Sequence, residues 1–258
     1  MADKLFYESD REFINADNVF CFCNTNIGLS GAAPRGIVLE FPGLGGGSCL
    51  GGSMELGQYS GDYAMALADN GLVLAYVFPG PWSWMNKGAV RISDMVVDAL
   101  RDRCGLPPVF PLIATGGSMG GLGGLVFSAD TRHRLAACAV TCPCIDARAS
   151  MGADPAFPRT FLSAVAAYDI PFEAALASIS PASRIPDMQD VPYLILADCD
   201  DEIFPLKDTD DYVNALRSSG KNVEYIHMEG CTHGGFTEKA RNRFTEFIIE
   251  KAAEFDRR

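Results

Sequence analysis

From residue 36 onward the sequence alternates between short apolar runs, rich in branched and aromatic residues, and longer amphipathic stretches. Few folds suit such a chain, because strands buried on both faces form a parallel sheet only when helical crossovers cover those faces. The expected strands are Gly36–Phe41, Leu72–Val77, Val109–Thr115, Leu135–Thr141, Pro192–Ala197 and Asn222–Met228. Upstream, Lys4–Tyr7 and Val19–Cys23 are expected to form an antiparallel hairpin on one edge, giving eight strands in a mostly parallel sheet. Ile92, Met95, Val96, Ala99 and Leu100 share one helical stripe, and Phe244, Phe247, Ile248, Ala252 and Phe255 share another. Both stripes should lie on the sheet, in a three-layer α/β arrangement. Asn70-Gly71 and Gly220 stand where helices should stop, and Asp208 is the expected N-cap of the helix that follows it.

The stretch of about 147–190 breaks the alternation, with Pro155, Pro158, Pro171, Pro181 and Pro186 punctuating two short helical segments. It is long for a connection, and reads as a small cap inserted into an otherwise single domain spanning 1–258. The chain length of 258 residues, 48% of them apolar, is enough for one core of that kind.

With 21 Lys and Arg against 33 Asp and Glu, the formal net charge of −12 disfavours nucleic-acid and anionic-lipid partners. No apolar run approaches the length of a membrane span, and the first residues lack a basic segment followed by an apolar one. A soluble cytoplasmic protein is the expectation. Nine cysteines, an odd number without any Cys-x-x-Cys, fit reduced thiols buried as small apolar side chains rather than metal ligands.

After the strand Val109–Thr115 comes Gly116-Gly117-Ser118-Met119-Gly120-Gly121, a match to the nucleophile elbow G-x-S-x-G in its strand-to-helix setting. A phosphate loop of the Walker type would need a Gly-Lys-Ser/Thr triplet, which is absent here. A serine hydroxyl is a poor nucleophile until a base takes its proton, and the chain has three histidines. His227 falls inside the last strand, and His133 follows the elbow helix at the end opposite Ser118. His233, in Gly230-Cys231-Thr232-His233-Gly234, lies just past the final strand on the side of the sheet where Ser118 sits. The strand Pro192–Ala197 runs into Asp198-Cys199-Asp200-Asp201-Glu202, so an acid able to orient the imidazole stands at the same edge, with its identity open.

The order serine, acid, histidine on this strand pattern resembles the α/β-hydrolases of the esterase and prolyl-oligopeptidase-like group, over nearly the whole chain. In that group the segment after this strand often reads Gly-x-x-Asp-x-x-Val-Pro. The resemblance therefore implies Asp201 as the catalytic acid, with Ile203-Phe204-Pro205 matching the apolar pair and proline. Ala197-Asp198 stands where the group commonly has His-Gly, so Asp200 stays open as an alternative. Asp146, in the loop after the preceding strand, is a second alternative because some members take the acid from there.

The resemblance also implies an oxyanion hole built from the Met119 N–H and one from the loop Phe41-Pro42-Gly43-Leu44-Gly45-Gly46-Gly47. That loop is similar to the His-Gly-Gly-Gly type, with Pro42 in place of histidine. Leu44 matches the donor, and Gly45 is the neighbouring choice. Trp82 and Trp84, on a loop leaving the same edge, either wall the substrate or pack the cap onto the body, as do Phe157, Phe161 and Tyr168. The implied activity is a serine hydrolase that needs no metal or organic cofactor. Small carboxylic esters come first, because a compact body with a short cap suits them. Prolyl-oligopeptidase-like cleavage of short peptides or aminoacyl amides is the alternative, and a non-catalytic binding protein on this fold is a third reading.

Overall fold

A computed structural model describes residues 13–44, 59–255 and 257. Its sheet has seven strands in the order β1-β3-β2-β4-β5-β6-β7. They are β1 (Cys23–Thr25), β2 (Gly36–Phe41), β3 (Leu72–Val77), β4 (Leu112–Gly117), β5 (Ala137–Thr141), β6 (Tyr193–Asp198) and β7 (Val223–Met228). β1 runs antiparallel to β3, and every other pairing is parallel. All residues of β3, β5 and β6 are buried, as expected of a sheet covered on both sides.

Helices supply that cover. On one face lie α2 (Lys87–Cys104), α3 (Met119–Asp130) and α7 (Leu206–Ser218), whose Met95, Leu100, Leu122, Phe127 and Leu216 join a single core with Ile37, Leu112 and Ile195. On the other lie α1 (Asp62–Asp69) and α8 (Glu238–Phe255), where Leu67, Phe247 and Ile248 meet Val38, Ile113 and Leu194. α2 is capped at both ends: the Asn86 side chain accepts from the Ala89 N–H at 2.9 Å, and Gly105 turns left-handed at φ 64°.

The stretch between β5 and β6 holds α4 (Phe157–Val165), α5 (Phe172–Ser178) and α6 (Pro181–Arg184), with 3₁₀ turns at Ala149–Gly152 and Ile185–Asp187. It docks through rings and polar ties: Asn86 Nδ2 donates to the Ala164 carbonyl at 2.8 Å, the Lys87 N–H donates to the Tyr168 hydroxyl at 2.7 Å, and Arg184 Nη1 donates to Asp130 of α3 at 3.0 Å. No helix among the described residues is long and apolar enough to cross a membrane.

Three expectations change. The sheet has seven described strands rather than eight, because Lys4–Tyr7 lies outside the described residues and Val19–Cys23 is not a strand. Val19–Cys21 is a 3₁₀ turn and the edge strand starts at Cys23. Local side chains win there: Asn18 Oδ1 accepts from the Asn15 N–H at 2.8 Å, and Asn15 Oδ1 accepts from the Asp17 N–H at 2.9 Å, curling the backbone before it can pair. β4 begins at Leu112, leaving Val109 exposed, because Pro107, Pro108 and Pro111 have no N–H to give a ladder. Asp208 is not an N-cap, since α7 already begins at Leu206 behind Pro205 and Asp208 sits in its first turn.

The outer strand β7 is dressed with charge on both sides. Glu224 accepts from Arg243 of α8 at 2.7 Å on each oxygen, while Tyr225 and His227 reach Asp210 of α7 at 2.8 and 2.9 Å.

Candidate active site

β4 and α3 meet at Ser118 with no loop between them, so the chain must reverse in one residue. Ser118 adopts φ 57°, ψ −122°, a conformation that side-chain-bearing residues rarely take. Its N–H is held by the Thr141 carbonyl of β5 at 3.0 Å. The turn closes only because two glycines bracket it. A methyl group on Gly116 would lie 2.4 Å from the Gly120 carbonyl oxygen, and one on Gly120 would lie 2.0 Å from that of Phe41.

The structure brings Ser118, His233 and Asp201 into one line. Ser118 Oγ is 2.9 Å from His233 Nε2, and His233 Nδ1 is 2.9 Å from Asp201 Oδ2 and 3.1 Å from Oδ1. Asp201 Oδ1 also accepts from the Ile203 and Phe204 N–H groups, both at 2.8 Å. Burial pushes the Asp201 carboxyl upward, but the His233 bond and those two N–H groups outweigh it and leave the group below its ordinary value. An ionised Asp201 facing Nδ1 places the imidazole proton there and leaves Nε2 free to accept from Ser118. Glu202 accepts from the His233 N–H at 3.2 Å, and the Phe204 ring stands edge-on to the imidazole at 5.3 Å.

The other acids face elsewhere. Asp200 is exposed, and Asp146 Oδ1 accepts from the Arg148 and Ala149 N–H groups at 2.8 and 3.2 Å, closing its own turn. Of the other histidines, His133 lies beside Asp94 of α2, and His227 pairs with Asp210.

Met119 is the first residue of α3, a position whose N–H has no acceptor within the helix. Leu44 follows β2 and lines the same cavity, of about 460 Å³, as Ser118 and His233. Gly45 lies outside the described residues. Neither tryptophan lines that cavity. Trp84 is fully buried against Phe161 and Phe157, with ring centroids at 4.1 and 5.4 Å, and Arg159 lies over the Trp82 ring at 5.7 Å. Of the two roles open to this pair and to Phe157 and Phe161, packing of the 147–190 segment onto the body is the one their contacts match. A substrate wall at Trp84 is corrected, because a side chain with no accessible surface cannot meet a ligand.

Two polar features near the site escaped the sequence reading. Glu40 of β2 lines the cavity, with one oxygen accepting from the Tyr59 hydroxyl at 3.2 Å and the other without a partner. Its signal was a lone acid in the apolar run Gly-Ile-Val-Leu-Glu-Phe. Burial pushes Glu40 up to about 7, against the opposing Tyr59 bond. Beneath His233 lies the second feature: Cys142 Sγ donates to Asp198 Oδ2 at 3.0 Å, and Asp198 Oδ1 has no partner. Burial, then the bond to Asp198, pushes the Cys142 thiol up to about 12.

Glu40 makes stability depend on pH. Unfolded, it titrates near 4.5, and folded near 7, so between those values the folded state keeps a proton that the unfolded state has lost. Its contribution is whole below about pH 4.5 and declines as pH rises to about 7, by ~3 kcal/mol at most. Glu40→Gln should therefore unfold at higher urea than wild type at about pH 8, and the gap should shrink to nothing on acidification. An unchanged midpoint at both pH values would mean that Glu40 ionises as freely in the fold as in water.

No match is found among curated protein sequences. Among solved structures, the chain is similar to a puromycin-hydrolyzing peptidase of Mycobacterium tuberculosis, at 18% identity and TM-score 0.61 over 88% of this chain and 35% of that one. It is similar to esterase B of Lactobacillus rhamnosis, at 12% identity and TM-score 0.62 over 88% and 78%. It is also similar to an acylaminoacyl peptidase of Pyrococcus horikoshii, at 16% identity and TM-score 0.63 over 88% and 37%. The chain spans about a third of the length of the two peptidases. These likenesses show the α/β-hydrolase fold. In sequence, the model of the prolyl oligopeptidase family matches residues 110–252, which include Ser118, Asp201 and His233. Because that match runs through more than half of its 258 residues, the chain belongs to the prolyl oligopeptidase family.

Proposed function

We propose that this chain is a serine peptidase acting on short peptides or aminoacyl amides. In this reading His233 Nε2 takes the Ser118 proton as Oγ attacks the carbonyl, and Asp201 holds the imidazole and steadies the imidazolium that forms. The Met119 and Leu44 N–H groups receive the developing oxyanion. His233 then hands its proton to the departing amine, and water, activated by the same imidazole, releases the acyl group from Ser118.

The observation that carries the reading is the unbroken Ser118–His233–Asp201 line, with both contacts at 2.9 Å. Peptide or amide cleavage, second in the sequence reading, moves ahead of ester cleavage because the family match is to prolyl oligopeptidases. Small esters remain the second reading, favoured by the likeness to esterase B, which covers most of both chains. We also propose that the domain is one unit, 1–258, in which the 147–190 segment caps the site.

Fluorophosphonate labelling followed by a panel of prolyl and aminoacyl amides and short acyl esters tests this. The expected result is one adduct, on Ser118, and amide turnover that the fluorophosphonate abolishes. Turnover confined to the esters would install the second reading. Failure to label at all would remove the hydrolytic mechanism from this site.

A further inference from the structure

Behind the catalytic line lie a thiol, Cys142, and a carboxylate, Asp198, that the hydrolytic reading does not use. One ligand atom each from Cys142, Asp201 and His233 lie within 4.8 Å of one another. Cys142 follows β5 with a left-handed φ of 43°, which turns its thiol under the His233 loop, and its side chain is almost wholly buried. Asp198, fully buried at the end of β6, accepts from that thiol at 3.0 Å with one oxygen and leaves the other unpartnered. The site thus concentrates thiol, imidazole and two carboxylates around two donated protons, one on Sγ and one on Nδ1.

We propose that Cys142, Asp201 and His233 form an inhibitory site for zinc, or a cation of similar softness, with Asp198 as the outer carboxylate that orients the sulfur. Thiolate, imidazole and carboxylate together suit Zn²⁺, and three protein ligands with a fourth position open to water are a common coordination for it. Mg²⁺ and Ca²⁺, which prefer all-oxygen sites, do not fit.

Binding replaces the hydrogens that now point at the two carboxylates. The Cys142 proton leaves to solvent as the Sγ–metal bond forms. The metal takes the Nδ1 lone pair, so the neutral imidazole carries its single proton on Nε2 instead. That nitrogen then donates to Ser118 Oγ and cannot accept from it. The nucleophile loses its base although Ser118 and His233 stay in place. This consequence for turnover rests on the proposed roles of Ser118 and His233, whereas metal binding itself does not.

Cobalt(II) titration of the full chain tests the site without any substrate. The expected result is a thiolate-to-cobalt charge-transfer band that saturates at one ion per chain, disappears on zinc addition and persists in Ser118→Ala. Cys142→Ser should abolish the band. Asp198→Asn, which keeps every ligand, should keep the band and weaken affinity by about 10- to 100-fold. In turnover assays zinc should suppress the wild-type rate, a chelator should restore it, and Cys142→Ser should lose zinc sensitivity relative to its own zinc-free rate. Absence of the band in wild type, or its survival in Cys142→Ser, overturns the proposal. A normal band in a chain that turns over no ester or amide would sustain the metal site and bring down the peptidase reading alone.

Discussion

Ser118→Ala is expected to lower kcat by about 10⁶-fold, with folding almost untouched. The size follows from the geometry: His233 Nε2 has one proton to take, from Ser118 Oγ at 2.9 Å, and alanine leaves it with nothing to activate. Removing the hydroxyl leaves the elbow's supports in place, since the N–H of residue 118 still meets the Thr141 carbonyl and the two bracketing glycines are unchanged. The melting temperature should therefore stay within roughly 3 °C of wild type. A companion variant separates positioning from nucleophilicity. Asp201→Asn keeps the shape but turns an amide N–H toward Nδ1 or removes the charge that holds its proton, and the loss should be about 10⁴-fold. Steady-state kinetics on the best substrate of the panel, beside thermal unfolding, measures both. If purified Ser118→Ala kept more than a trace of the wild-type rate, another nucleophile would have to be sought.

The second large effect falls on stability. Gly120→Ala would put a methyl group 2.0 Å from the Phe41 carbonyl oxygen and 2.7 Å from its carbon. Both obstacles are backbone, so neither can rotate aside. α3 must lift off the end of β2, or the loop bearing Leu44 must give way. A destabilisation of about 3 kcal/mol or more is expected, which for a domain of this size lowers the melting temperature by roughly 6–12 °C. Gly152→Ala serves as the control, because a methyl group there would meet nothing within 4 Å, and its effect should stay within about 0.5 kcal/mol. Equal melting curves for the two variants would show that the first turn of α3 is not wedged against β2 as described.

How far residues alone can be read is visible in these same elements. The parallel core was legible because apolar runs of strand length alternate with amphipathic ones, a pattern set by burial itself. Ser118 and His233 stood out because one motif and three histidines leave few pairings. The acid did not stand out in the same way. Asp198, Asp200, Asp201 and Glu202 are all acids within one turn, and which of them meets Nδ1 depends on the backbone of that turn, where the Ile203 and Phe204 N–H groups draw Asp201 inward. Trp84 shows the converse. Aromatics at a strand's carboxyl edge carry the same sequence signature whether they face substrate or a neighbouring helix, and only the fold distinguishes Phe161 from a ligand as their partner. The Cys142–Asp198 contact joins residues 56 apart in the chain, and no local pattern announces it. At Val19–Cys23 apolar composition suggested a strand, but asparagine side chains two and three residues apart captured the backbone first.

The charge on β7 bears on how this protein behaves in a crowded solution. A strand at a sheet's margin exposes unpaired backbone groups and can recruit a strand from another molecule, which is how many sheet proteins begin to aggregate. Here an incoming strand would have to lay its side chains beside Glu224 and Arg243 on one face and His227 and Asp210 on the other. It would strip water from the Arg243–Glu224 ion pair and the His227–Asp210 hydrogen bond while gaining little apolar contact. The two pairs therefore act less as fasteners of the fold than as a fence, closing the sheet against further growth on the side where the loop carrying His233 begins.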